Sequence, residues 1–155
     1  TAEYDKAVAN DSFIGAYGRQ SDLAMEPEEL IYLTNEALAG CIVTDYASED
    51  ERYVTTGVYT IASAASEDGE GYDMFLDGAK SLLTIENPAD KELIIFRDSF
   101  GSSIAPFFTE VYRKVTLVDT RYLPSERVGK FVDFDRQDIL FLYSVPVLNN
   151  SVMLK

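Results

Sequence analysis

Two short apolar runs with a helical stretch between them constrain this chain most. Leu93 to Phe96 is continuously apolar rather than alternating, the pattern of a strand covered on both faces of a parallel sheet. A polar turn, Arg97-Asp98-Ser99-Phe100-Gly101, follows at once, and from Ser102 onward Ile104, Phe107, Phe108 and Val111 recur at helical spacing. A second run, Val115 to Val118, ends in Asp119. Lys91 to Tyr122 therefore reads as one βαβ unit. Ligands in such sheets sit at the carboxyl ends of the strands, so Ser99 is the first residue to consider as functional.

The rest of the chain supplies the frame. Residues 1 to 12 read as a polar lead-in, and 11 to 27 as an ordered loop or irregular hairpin. Pro27-Glu28-Glu29 favours a first helical turn, and Leu30, Leu33 and Ala37 follow at helical spacing, which predicts a helix from about Glu26 to Glu36 or Leu38, ended by Gly40. Cys41 to Tyr46 and Ser81 to Glu86 read as strands, and Tyr53 to Tyr59 as extended chain after an acidic turn. Ala62 to Gly71 reads as a loop or weak helix end, and Tyr72 to Gly78 as a helical turn closed by glycine. Pro124-Ser125-Glu126 starts a helix with Val128, Phe131 and Val132 on one face, and Ile139 to Tyr143 is a further buried strand. Strand, helix, strand, helix, strand over residues 93 to 143 predicts a single-domain, three-layer α/β sandwich with a mostly parallel sheet.

A length of 155 residues suits one domain with a real core. No run approaches a membrane span, and the first residues carry no signal-peptide pattern. The net charge of −14 sets the chain against phosphate, so no nucleic-acid partner is expected. The acids are unevenly spread: residues 1–44 carry −6, 45–92 carry −9 and 93–155 carry +1. The βαβ unit thus lies in the neutral part. The one cysteine, Cys41, can make no internal disulfide. Because histidine is absent, a Ser-His-Asp triad or a His-ligated metal site cannot be built from this chain alone. No metal and no cofactor is expected.

A hydroxyl becomes a nucleophile when a base takes its proton and fixed donors hold the developing oxyanion. A sharp strand-to-helix turn lifts Ser99 from the sheet and aims helix N–H groups at the same spot. Ser102 or Ser103 can cap that helix, and Pro106 falls where a lost N–H costs little. Asp98 and Ser99 are equally the residue types that merely form turns and caps. Arg97 and Arg121, each after a buried strand, could hold an anionic group over the turn, or could pair with Asp98 or Asp119. The acidic stretch Glu67 to Asp73 fails the EF-hand pattern and reads as a solvated loop. The tyrosines and phenylalanines read as packing.

Arg97-Asp98-Ser99-Phe100, the Pro106-Phe107 pair and Asp119-x-Arg121-Tyr122 resemble the pattern of the DHHW family of bacterial proteins, relatives of SGNH hydrolases and of alginate O-acetylation enzymes. Phe13-Ile14-Gly15 with Gly18-Arg19, Pro27-Glu28, Tyr72 to Gly78 and Leu148-Asn149-Asn150 are similar to further segments of that family, although Ala79 stands where the family has asparagine. The resemblance implies an SGNH-hydrolase or flavodoxin-like fold. It further implies Ser99 as catalytic nucleophile, with Arg97, Arg121, Tyr122 and Asn149 binding substrate or anion, and an extracytoplasmic bacterial location. The expected substrate is a carbohydrate or acyl ester. The family's Asp-x-His lies upstream of the serine block and is missing here. The chain, which begins at Thr1 rather than methionine, is therefore expected to be the carboxyl-terminal part of an incomplete domain, inactive without its upstream segment. A natural short variant without a base is the other reading. The rival functional classes are a non-catalytic ligand-binding or assembly module, and a structural domain with no ligand.

Overall fold

The computed structural model describes residues 2–65, 71–87 and 90–154. In chain order the described strands are β1 (Asp5–Phe13), β2 (Glu28–Thr34), β3 (Ile42–Tyr46), β4 (Arg52–Thr56), β5 (Leu82–Glu86), β6 (Lys91–Arg97), β7 (Tyr112–Val118) and β8 (Asp138–Leu142). The α-helices are short: α1 (Ala16–Gln20), α2 (Glu36–Gly40), α3 (Gly101–Ile104), α4 (Ser125–Val128) and α5 (Val145–Asn149). Turns of 3-10 helix lie at Ile61–Ala65, Gly71–Met74, Ala105–Glu110 and Ser151–Met153.

β1 and β2 pair with each other, and the other strands form a sheet in the order β4-β3-β5-β7-β6-β8. The βαβ unit is present: β6 and β7 run parallel, with Leu93 opposite Val115 and Phe96 opposite Val118. Its crossover is less helical than the spacing predicts. Pro106 has no N–H to give to the Ser102 carbonyl, so the α-turn of Gly101–Ile104 tightens into 3-10 helix.

The expectation of a mostly parallel sheet is corrected. β6 pairs parallel with β7 and β8, but β3–β4, β3–β5 and β5–β7 are antiparallel. Connection length explains β3–β4 directly and β5–β7 through β6. Only residues 47–51 separate β3 from β4, and only 87–90 separate β5 from β6, too few for the crossover that parallel strands need.

Three further expectations are overturned. The polar lead-in is strand β1, and Glu28–Thr34, expected as helix, is its antiparallel partner β2. Leu30 is buried and Tyr32 half-buried while Ile31 and Leu33 face out, a period of 2 rather than 3.6. Helix waits until α2, where Asn35 Oδ1 accepts from the Leu38 amide at 2.9 Å. Lastly, Asp138–Leu142 is a strand but lies at the sheet's edge, with Phe141 69% exposed. Glu67 to Glu70 of the acidic stretch lie outside the described residues.

The central strands alternate between two cores. Leu83, Ile85, Leu93, Ile95, Val115 and Leu117 face one side with Leu38, Val43 and Ala105, while Leu82, Ile94 and Val118 face the other with Leu123, Val128 and Val132. The β1–β2 hairpin packs on a third cluster, Leu30, Ala64, Met74 and Phe75. No helix among the described residues is long and apolar enough to cross a membrane.

Candidate functional site

The parallel strands β6, β7 and β8 end on one rim of the sheet, and the Ser99 turn sits there. Asp98, 1% exposed, holds the turn. Its Oδ1 accepts from the Phe100 amide at 3.0 Å, and its Oδ2 accepts from the Ser144 amide at 2.7 Å, tying the end of β6 to the residue that precedes α5. Ser99 is half-buried, and its hydroxyl has no hydrogen-bond partner among the described residues.

The turn is less generous with amides than a serine loop at a helix start promises. Phe100 N donates to Asp98, Gly101 N to the Asp98 carbonyl at 3.1 Å, and Ser102 N to the Ser99 carbonyl at 3.1 Å. Among the described residues, Ser99's own N–H is left without an acceptor, so one backbone donor rather than several lies beside the hydroxyl. Ser102 cannot act as a cap: it is 2% exposed, inside the helix, and its Oγ has no partner.

Arg97 leaves the rim for the interior. Its side chain is wholly buried, with Nη1 3.5 Å from Asp119 Oδ2 and Nη2 donating to the Lys80 carbonyl at 3.4 Å. Gly101 makes this possible, since a Cβ there would stand 2.8 Å from Arg97 Cβ. Burial pulls the Arg97 guanidinium down from its ordinary range, and the Asp119 charge opposes that. Arg97, expected to bind substrate or anion, thus lies buried beside Asp119.

Asp119, at 0% exposure, also binds Arg121: Oδ1 accepts from Arg121 N at 3.1 Å and Nε at 2.9 Å, and Oδ2 from Nη2 at 2.6 Å. These hydrogen bonds hold the Arg121 guanidinium above its usual value. Arg121 keeps some exposure and lies over the Tyr122 ring, 5.4 Å from its centroid, and Tyr122 itself is 56% exposed. Asn149 is exposed at the end of α5, and no described contact joins it to the Ser99 turn. The structure thus gathers Asp98, Ser99, Arg121 and Tyr122 on one rim, withdraws Arg97 beneath it and leaves Asn149 apart.

Two aromatic residues that sequence reasoning assigned to packing belong to this rim. Tyr72 Oη lies 2.7 Å from Ser103 Oγ and 3.1 Å from the Phe100 carbonyl. Tyr17 stacks on Phe100 at 5.5 Å between centroids. Phe100, 43% exposed, is thus clasped by a loop from each side. The family-like segment Tyr72 to Gly78 was the signal for Tyr72; nothing in the sequence marked Tyr17. Among the described residues the rim holds no histidine base. Histidine is absent from the chain, and among the described residues the nearest carboxylate of the turn, Asp98, is buried and accepts from an amide on each oxygen. Among the described residues no cluster of His, Cys, Asp or Glu could hold a metal.

No known protein family and no curated protein matches the chain by sequence. Solved structures do match in fold. A DHHW family protein from Eubacterium siraeum superposes with a TM-score of 0.64 at 18% identity, over 90% of this chain and 47% of that one. PatB1 of Bacillus cereus matches with a TM-score of 0.63 at 22% identity, over 98% of this chain and 50% of PatB1. PatB1 with a sulfonyl adduct gives 0.61 at 18% identity, covering 98% and 48%. The chain shares the fold of these proteins and spans about half their length.

Proposed function

We propose that this chain is the serine-bearing part of a DHHW-type, SGNH-hydrolase-like protein that carries out ester cleavage or O-acyl transfer on carbohydrate outside the bacterial cytoplasm. The observation that carries the reading is Ser99: at the carboxyl end of β6, its hydroxyl and its own N–H have no partner among the described residues. The fold shared with PatB1, solved with a sulfonyl adduct, supports it, because sulfonyl reagents trap activated nucleophiles. In the reaction Ser99 Oγ attacks the acyl carbonyl and gives its proton to a histidine from outside this chain. That imidazole then protonates the departing alkoxide, and the Ser99 ester is released to water or to a sugar hydroxyl. The Ser99 N–H faces the oxyanion. Arg121, which keeps some exposure, and Tyr122 contact the substrate, and Arg97 braces Asp119 from below.

The test sets this 155-residue chain beside the longer polypeptide of its gene, each with and without Ser99→Ala, against a fluorophosphonate probe and p-nitrophenyl acetate. Labelling and turnover are expected only in the longer protein and only with Ser99 intact. Absence of labelling in both forms overturns the enzyme reading. The rival, an anion-holding module without turnover, is weakened by one observation: the arginines of the rim are already engaged with Asp119.

A further inference from the structure

The strand β8 carries a contradiction between its sequence and its place. Ile139-Leu140-Phe141-Leu142 is continuously apolar, the composition of a strand with a neighbour on each edge and cover on each face. Yet β8 is the last strand of the sheet, paired with β6 along one edge only. Leu140 and Leu142 on one face pack against the core. On the other face Ile139 and Phe141 are 50% and 69% exposed, although their register partners are Ile94, at 1% exposure, and Phe96. Phe141 is stacked on Phe96 at 5.0 Å, which leaves its outer face bare. The apolar surface continues past the strand through Val145 and Leu148, 68% and 54% exposed. A long apolar edge of this kind is what soluble proteins avoid.

We infer that the free edge and bare face of β8 are the seat of a strand-and-helix unit from the polypeptide outside Thr1–Lys155. The unit adds a strand parallel to β8 and lays an apolar helix over Ile139 and Phe141. The solved structures that share this fold are about twice as long as this chain, so a segment of that size is available in proteins of this shape. Direction follows from the rim. The end of β8 is bound to the Ser99 turn through Ser144 N and Asp98 Oδ2 at 2.7 Å. A parallel neighbour opens its own carboxyl-end loop on the same side, where a proton acceptor for Ser99 is wanted. This rests on the reading of Ser99 as a nucleophile for its purpose and for the direction of the added strand, but not for its place on β8.

The other edge strand provides the control. β4 is exposed along its whole length, with Val54 64% exposed between tyrosine and threonine. The double variant Ile139→Gln/Phe141→Gln and the single variant Val54→Gln are made in this chain and in the longer polypeptide of its gene, and thermal unfolding is followed. In this chain the double variant loses only the Phe141–Phe96 stacking and a half-exposed isoleucine, so it should lower Tm by no more than about 4 °C, and Val54→Gln by no more than about 2 °C. In the longer protein the double variant should lower Tm by about 5 °C or more, and Val54→Gln should not. Equal shifts in the two proteins overturn the inference. So does a reading frame that encodes nothing ahead of Thr1 or beyond Lys155. A third overturning result is sedimentation of this chain as a dimer that the double variant splits, since a second copy would then hold the edge. Fluorophosphonate labelling is scored separately: a differential Tm shift without labelling keeps the surface and removes the enzyme, and labelling without a differential shift does the reverse.

Discussion

Two ion clusters flank the carboxyl end of this sheet, and they differ in nearly every property that decides what a charge is worth. On the parallel side Arg97 and Asp119, both at 0% exposure, pair beneath the Ser99 turn, with Arg121 closing the carboxylate. On the antiparallel side Lys80 lies 2.9 Å from Asp77 and 3.3 Å from Asp45, at the mouth of an open cleft of about 590 Å³ lined in part by Tyr53, Val58 and Leu76. One hydrogen bond, Arg97 Nη2 to the Lys80 carbonyl, joins the two. The buried cluster fixes the ends of β6 and β7 and with them the turn that presents Ser99. The open one is partly buried, with Lys80 26% and Asp77 64% exposed, and the water that reaches it weakens the attraction between its charges. Burial, rather than the count of charges, makes the first a structural centre.

The strongest way to break this contrast is to remove the shared carboxylate. Asp119→Asn leaves a guanidinium buried without a counter-charge, and such a loss typically costs about 3–5 kcal/mol. Asp45→Asn in the open cluster should cost no more than about 1 kcal/mol. Urea unfolding of the two variants measures both. Equal losses would mean that Arg97 finds water or another carboxylate when Asp119 is gone, and the buried cluster would no longer be the centre that orders the rim.

What could be read in advance divides along the same line. β6, β7 and the turn between them were legible because continuous apolar runs and a serine turn are local patterns. On the antiparallel side the strands Ile42–Tyr46 and Leu82–Glu86 were legible but their pairing was not, because it is settled by connection length and by partners far away in sequence. Pro27-Glu28-Glu29 imitates a helix start, but pairing with Asp5–Phe13 makes Glu28–Thr34 a strand, a case of tertiary context overriding propensity. At the site, Ser99 and Asp98 stood where the sequence put them. The fate of Arg97 could not be foreseen, since either Asp98 or Asp119 could have been its partner. The structure selects Asp119 because amides of Phe100 and Ser144 occupy both oxygens of Asp98.

Each cluster leans on a glycine, and for different reasons, which gives a second and smaller test. A methyl group at Gly101 would meet Arg97 Cβ at 2.8 Å. That atom is fixed to the strand and cannot swing aside, so Gly101→Ala should cost about 1–3 kcal/mol by overpacking. Gly78, beside the open cluster, has a φ of 83°, and a Cβ there would stand 2.8 Å from Asp73 Cγ. Gly78→Ala should cost about 1 kcal/mol from the left-handed backbone, plus the shift of that side chain. Denaturant midpoints at constant slope separate the two. If Gly101→Ala is the milder variant, the turn is not pressed against the Arg97 stem.

The smallest effect is the most diagnostic of exposure. Partial burial by itself would pull the Lys80 ammonium down, but the hydrogen bond to Asp77, the charge of Asp45 and the remaining terms with these two acids outweigh it, and its pKa is raised above the ordinary lysine value. A cation whose pKa is higher folded than unfolded contributes stability that is complete below the unfolded pKa, about 10.4 for a lysine. That contribution is lost as pH rises through the folded pKa. The difference in unfolding free energy between the wild type and Lys80→Met should therefore be constant from pH 7 to about pH 9 and shrink above about pH 10.5. The alkaline titration of tyrosines, common to both proteins, cancels in that difference. Asp119→Asn gives a flat profile instead, because the guanidinium it strands stays charged across the same range. A Lys80→Met difference that held constant to the alkaline limit would mean that the ion pair adds nothing at neutral pH, and that the ammonium serves only to line the cleft.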